Sequence, residues 1–155
     1  MASHRIMQVQ RKNRADSMQF HCFVLMLFGV LTSGNVAASN WVIATSSGVS
    51  KIYVDTDSIN RTGNIVSAWY RRDFKHPMTG NDKRHKYQSS KVLNYYNCAD
   101  NEIAAAQWIT YEGVEAQGKT VSNERVTPLE YGDIPPGETG KPIFDFICKR
   151  AMHSR

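Results

Sequence analysis

The sequence predicts an α+β fold, a sheet of short strands followed by one C-terminal helix. Three observations carry this. Between positions 40 and 125, runs of β-branched and aromatic residues recur between turn-forming residues. Residues 127–140 then gather Pro128, Pro135, Pro136, Gly132, Gly137 and Gly140 into a stretch without periodicity. Beyond it, residues 142–152 (PIFDFICKRAM) repeat apolar residues at helical spacing. A chain of 155 residues suits one domain. With 41% hydrophobic and 21% charged residues it is not a disordered chain, and three cysteines are too few for a disulfide-dense miniprotein. There is no sustained heptad and no repeat that would mark a coiled coil or a solenoid.

The first element reads as a secretory signal over residues 1–38. Residues 20–31 (FHCFVLMLFGVL) are apolar apart from His21, but too short for a hydrocarbon core of ~30 Å, which needs about 20 residues. Arg5, Arg11, Lys12 and Arg14 precede this run, against Asp16 alone. Val36 and Ala38 supply the small residues at −3 and −1 for cleavage between Ala38 and Ser39. Translation can start at Met1, Met7 or Met18. A buried N-terminal helix is the alternative reading. Cys22 lies within the apolar run rather than after it, so it reads as a small hydrophobe and not as a lipid-attachment site.

Without residues 1–38, 15 Lys+Arg face 13 Asp+Glu, so the net charge falls from +5 to +2. Cys98 and Cys148 remain, and an even count in an exported chain reads as a disulfide, with two free thiols as the alternative. No membrane span is expected in the mature chain.

In the mature chain, residues 40–45 (NWVIAT) and 51–55 (KIYVD) read as strands separated by Ser46, Ser47 and Gly48. Residues 57–63 (DSINRTG) read as a turn, because Asp and Ser bond nearby backbone and Gly63 tolerates positive φ. Residues 64–74 form a longer strand, followed by a polar loop with Pro77 and Gly80. Residues 87–98 and 102–111 form the next pair. The second of these, EIAAAQWITY, also suits a helix through its three alanines, but its β-branched and aromatic residues favour a strand. Residues 120–125 give a last short strand, and 127–140 a structureless crossing. In the final helix Pro142 suits the first turn, Lys149 and Arg150 suit the C-terminal dipole, and Ile143, Ile147 and Ala151 share a face with Phe144 and Cys148 beside them.

The densest charge lies in residues 71–86 (RRDFKHPMTGNDKRHK), where Arg71, Arg72, Lys75, Lys83, Arg84 and Lys86 meet Asp73 and Asp82. Functionally this is a candidate contact patch for an acidic protein, a sulfated glycan or anionic headgroups. Its bland counterpart is a solvated hairpin that keeps a sheet end soluble. Trp41, Trp69, Trp108, Tyr53, Tyr70, Tyr95 and Tyr96 are candidates for a ligand groove, with the core of a small sheet as the ordinary alternative. His76 and His85 lack a third ligand at metal-site spacing, so no metal is expected. Asp55 and Asp57 read as turn formers rather than acid–base carboxylates. No phosphate loop, Gly-x-Ser-x-Gly or Cys-x-x-Cys motif is present, so the chain reads as non-enzymatic and without a cofactor. Nucleic acid is not an expected partner, for lack of a matching motif. The sequon at Asn60 is taken as chance.

Trp41-Val42, Tyr53-Val54-Asp55, Ser58-Ile59, Arg61, Gly63 and residues 66–69 follow one another at spacings similar to those of the bacterial surface-adhesin protein E family. So do Tyr87, Ser89-Ser90-Lys91, the YYNC of residues 95–98, Tyr131, Pro135-Pro136-Gly137 and Cys148. The resemblance spans nearly the whole mature chain. It implies an antiparallel sheet of about six strands, with the C-terminal helix packed on it and tied by the cysteine pair. It also implies export to the periplasm or outer cell surface, homodimerisation, and binding of host matrix proteins. The expected function is thus an exported binding module of the envelope with a protein or glycan partner. A structural or accessory periplasmic protein without host contact is the second reading.

Overall fold

The computed structural model describes residues 39–80, 83–135, 137 and 139–153. The expected leader, including Ala38, lies outside the described residues, whereas Ser39 is exposed ahead of the first strand. Strands β1 (Trp41–Ser46), β2 (Ser50–Asp55), β4 (Ile65–Thr79), β5 (Lys86–Asn97), β6 (Glu102–Tyr111) and β7 (Thr120–Arg125) form an antiparallel path in the order β1-β2-β4-β5-β6-β7. Two short strands join its flanks: β3 (Asn60–Thr62) pairs with β4, and β8 (Gly132–Asp133) pairs with β6. Helix α1 (Gly140–His153) closes the chain. The α+β class and the disulfide-tied helix are as expected, and residues 102–111 are strand.

Alternation within the strands sorts side chains onto two faces. Ile52 and Val54 of β2, Val66 and Ala68 of β4 and Tyr96 of β5 are buried against Ile143, Phe144, Ile147, Cys148 and Ala151 of α1. Fully burying side chains such as Ile143, Phe144 and Ile147 stabilises by about 1.5–3 kcal/mol each. This matters because a helix of 14 residues is marginal alone in water. Cys98, just past β5, is bonded to Cys148 across 50 residues of sequence.

Four local expectations change. The strand expected to end at Phe74 runs on to Thr79. Pro77, which cannot donate a ladder bond, falls where the β4–β5 register is interrupted between Asp73 and Met78, so its missing N–H costs nothing there. Beyond Thr79, Gly80 N–H donates to His85 C=O at 2.8 Å and Lys83 N–H to Gly80 C=O at 2.9 Å. The turn expected at residues 57–63 holds a 3-10 turn (Thr56–Ser58) and the short β3. Residues 127–140 are not wholly structureless, since they supply β8. Finally, α1 begins at Gly140, two residues before Pro142, and Asp145 pairs with Lys141 one turn back.

Candidate functional site

The six basic residues singled out in 71–86 separate into two groups. Lys75, Lys83, Arg84 and Lys86 are all exposed, gathered at one end of the sheet by the β4–β5 hairpin. Arg71 and Arg72 are not part of that exposed end. Arg71 points to the face opposite α1 and is 8% exposed. Its guanidinium pairs with Asp73 at 2.9 Å and lies over Tyr53 (4.7 Å to the centroid) and Trp41 (5.2 Å). Arg72 points to the helix side, donates to Ser50 Oγ at 2.9 Å and lies over Phe74 at 4.8 Å. Charge counting along the sequence cannot see this division, because successive strand residues point to opposite faces.

The aromatic residues divide as well. Tyr70 and Tyr96 are on the helix side, and Tyr96 is fully buried in the core. Burial pushes the Tyr70 hydroxyl up to about 12, against a smaller lowering by the charge of Arg72. Burial raises Tyr96 further still. On the opposite face, which α1 does not cover, Trp41, Tyr53, Trp69 and Tyr95 are half-buried. There Lys91 sits between two indoles, 5.2 Å from the centroid of Trp69 and 5.4 Å from that of Trp41. One end of this face is closed by the 3-10 turn Val114–Ala116: Glu115 N–H donates to Asp73 Oδ1 at 2.9 Å and Ala116 N–H to Ser89 Oγ at 3.0 Å. Trp108 belongs to neither group and lies on the helix side beyond the reach of α1.

Asp55 accepts from the N–H groups of Asn40 (3.1 Å) and Asp57 (3.2 Å), the geometry of a turn-capping carboxylate. His76 and His85 are exposed. Among the described residues no group of three or more His, Cys, Asp or Glu side chains is placed to hold a metal ion, and no helix is long and apolar enough to cross a membrane.

A single antiparallel sheet, one helix fastened to it by a disulfide and a cationic hairpin end define a small α+β module. The family is shown by sequence: the family model of surface-adhesin protein E matches residues 41–149, and the chain belongs to that family. Solved structures of Haemophilus influenzae protein E share the fold. One, a second crystal form, aligns with a TM-score of 0.57 at 15% identity, covering 79% of this chain and 97% of that one. Another, from the non-typeable organism, gives 0.55 at 16% identity over 80% and 85%. No curated protein matches the chain significantly.

Proposed function

We propose that this chain is an exported, non-enzymatic binding module of the bacterial envelope that engages an anionic protein or glycan through the end of its β4–β5 hairpin. The observation that carries this reading is the segregation of cations. Arg71 is buried and Arg72 half-buried within the sheet, while Lys75, Lys83, Arg84 and Lys86 are all exposed at one end. Such a cluster raises the local concentration of an anionic partner. Family membership supports a place at the cell surface. Removal of residues 1–38 as a signal, with the mature chain starting at Ser39, supplies the route of export, and the Cys98–Cys148 bond fits an oxidising compartment. The uncovered aromatic face around Trp69, Leu93 and Tyr95 supports pairing of two copies.

The test is binding by a variant with Lys83→Glu, Arg84→Glu and Lys86→Glu. Affinity for an anionic host protein captured by the wild-type chain should drop, and wild-type binding should weaken as salt rises, since exposed charges are screened over about 10 Å at 0.1 M. Equal binding by the reversed chain at all salt concentrations would reduce the hairpin to a solubility device.

A further inference from the structure

The helix covers only part of its face of the sheet. It packs over β1, β2 and β4 and against Tyr96, and leaves the β6–β7 side open. A groove of about 370 Å³ lies there, lined by Tyr87, Trp108, Thr110, Val121, Ser122 and Glu124. Its size is within the range of small-ligand clefts, about 300–1,000 Å³. Trp108 is 48% exposed although β6 is an inner strand, paired on both sides. Glu124 stands directly across from Trp108, and Ser122 across from Thr110. The two hydroxyls are 2.8 Å apart and either can donate.

These groups have a shared chemistry. The indole offers a flat apolar surface, and the two hydroxyls with one carboxylate offer donors and acceptors around it. Among the described residues that line the groove there is no cation, so Glu124 opposes an anion on its floor. Both edges of β6 are paired, so a partner reaches Trp108 from the face of the sheet and not by adding a strand to β6. An uncharged ring with an apolar face and hydroxyls at its rim satisfies all of these groups at once. We propose that the groove is a saccharide subsite, taking a neutral sugar ring stacked on Trp108 with its hydroxyls bonded to Glu124, Thr110 and Ser122. Gly80 also lines the groove, so the subsite adjoins the cationic hairpin. The inference deepens the reading of the chain as a binding module: the partner is a glycan whose neutral ring occupies the groove while its acidic groups meet Lys83, Arg84 and Lys86.

Neutral oligosaccharides test the subsite apart from the hairpin. The exported protein is titrated with poly-N-acetyllactosamine, representing host chains, and with chitotriose, representing the bacterium's own wall, by calorimetry and indole fluorescence. Binding of either one supports the subsite, and the preferred one assigns the source. Trp108→Ala should weaken binding roughly tenfold or more, and Trp108→Phe less. Glu124→Gln should weaken it roughly fivefold. Lys83→Glu, Arg84→Glu and Lys86→Glu together should leave neutral-sugar binding unchanged, which separates failure at the hairpin from failure in the groove. A wild-type protein that binds neither sugar at millimolar concentration overturns the proposal. So does a Trp108→Ala variant that melts normally and binds as wild type.

Discussion

Arg71 stands directly opposite Lys91 on the neighbouring strand, and like charges in that position repel. Asp73 relieves the repulsion by holding Arg71 through Nε and Nη2, while also accepting the Glu115 N–H. Removing Asp73 strands a nearly buried guanidinium beside a second cation. Removing the charge of Arg71 leaves a carboxylate that keeps a backbone donor. Asp73→Ala should therefore cost about 3 kcal/mol and Arg71→Met clearly less, measured by denaturant midpoints. The reverse order would mean that the aromatic rings, not the carboxylate, hold Arg71. Tyr70 and Tyr96 set the alkaline limit. Both are raised above the ordinary tyrosine value of 10.0, so the unfolded chain releases these protons at lower pH than the folded one. Their contribution is complete below pH 10 and is lost as pH rises, through about 12 for Tyr70. Absorbance titration should show late-ionising tyrosine signals that Tyr70→Phe and Tyr96→Phe each reduce. Absence of any late-ionising tyrosine, in a protein still folded, would contradict the burial. In the sequence, the i,i+2 spacing of Trp69, Arg71 and Asp73 shows that they share a face. The folding of Trp41 across β2 onto Arg71 and Lys91 has no local signature, so the burial of one arginine in a basic run was not legible.

At the scale of elements, the weakest joint is α1. The crossing segment before it pairs with the sheet through β8 and packs Ile134 against the core, and α1 itself docks through Ile143, Phe144 and Ile147 and the bond from Cys148 to Cys98. Opening that bond releases a loop of 50 residues, and Cys148→Ser should destabilise by about 2–5 kcal/mol. The helix should loosen before the sheet, seen as faster amide exchange in α1 than in β5. Equal exchange in both would mean that helix and sheet open as one unit. Period and turn chemistry made β1, β2, β5, β6, β7 and α1 readable, because each has enough residues for alternation or for an apolar stripe. β8 is two residues, Gly132 and Asp133, too short to carry a pattern. The far half of β4 was hidden by Pro77, which ends most strands but sits here at a register break.

For the whole molecule, the layout puts stability and recognition in different places. The core lies between α1 and the centre of the sheet, whereas the exposed cations and the Trp108 groove adjoin one another near the hairpin. Trp108 was legible as an aromatic in a strand, but not as an exposed one, because exposure depends on how far α1 extends across the sheet. Reversing Lys83 and Lys86 should accordingly change stability by no more than about 0.5 kcal/mol while altering binding. All of this presumes that the hairpin end meets partners outside the cell. Treating intact bacteria with a membrane-impermeant protease, followed by immunoblotting for this chain, tests that claim most directly. The account predicts loss of the protein from protease-treated cells whose outer membrane is intact. Protection until the outer membrane is opened would contradict it and leave a periplasmic accessory role in its place.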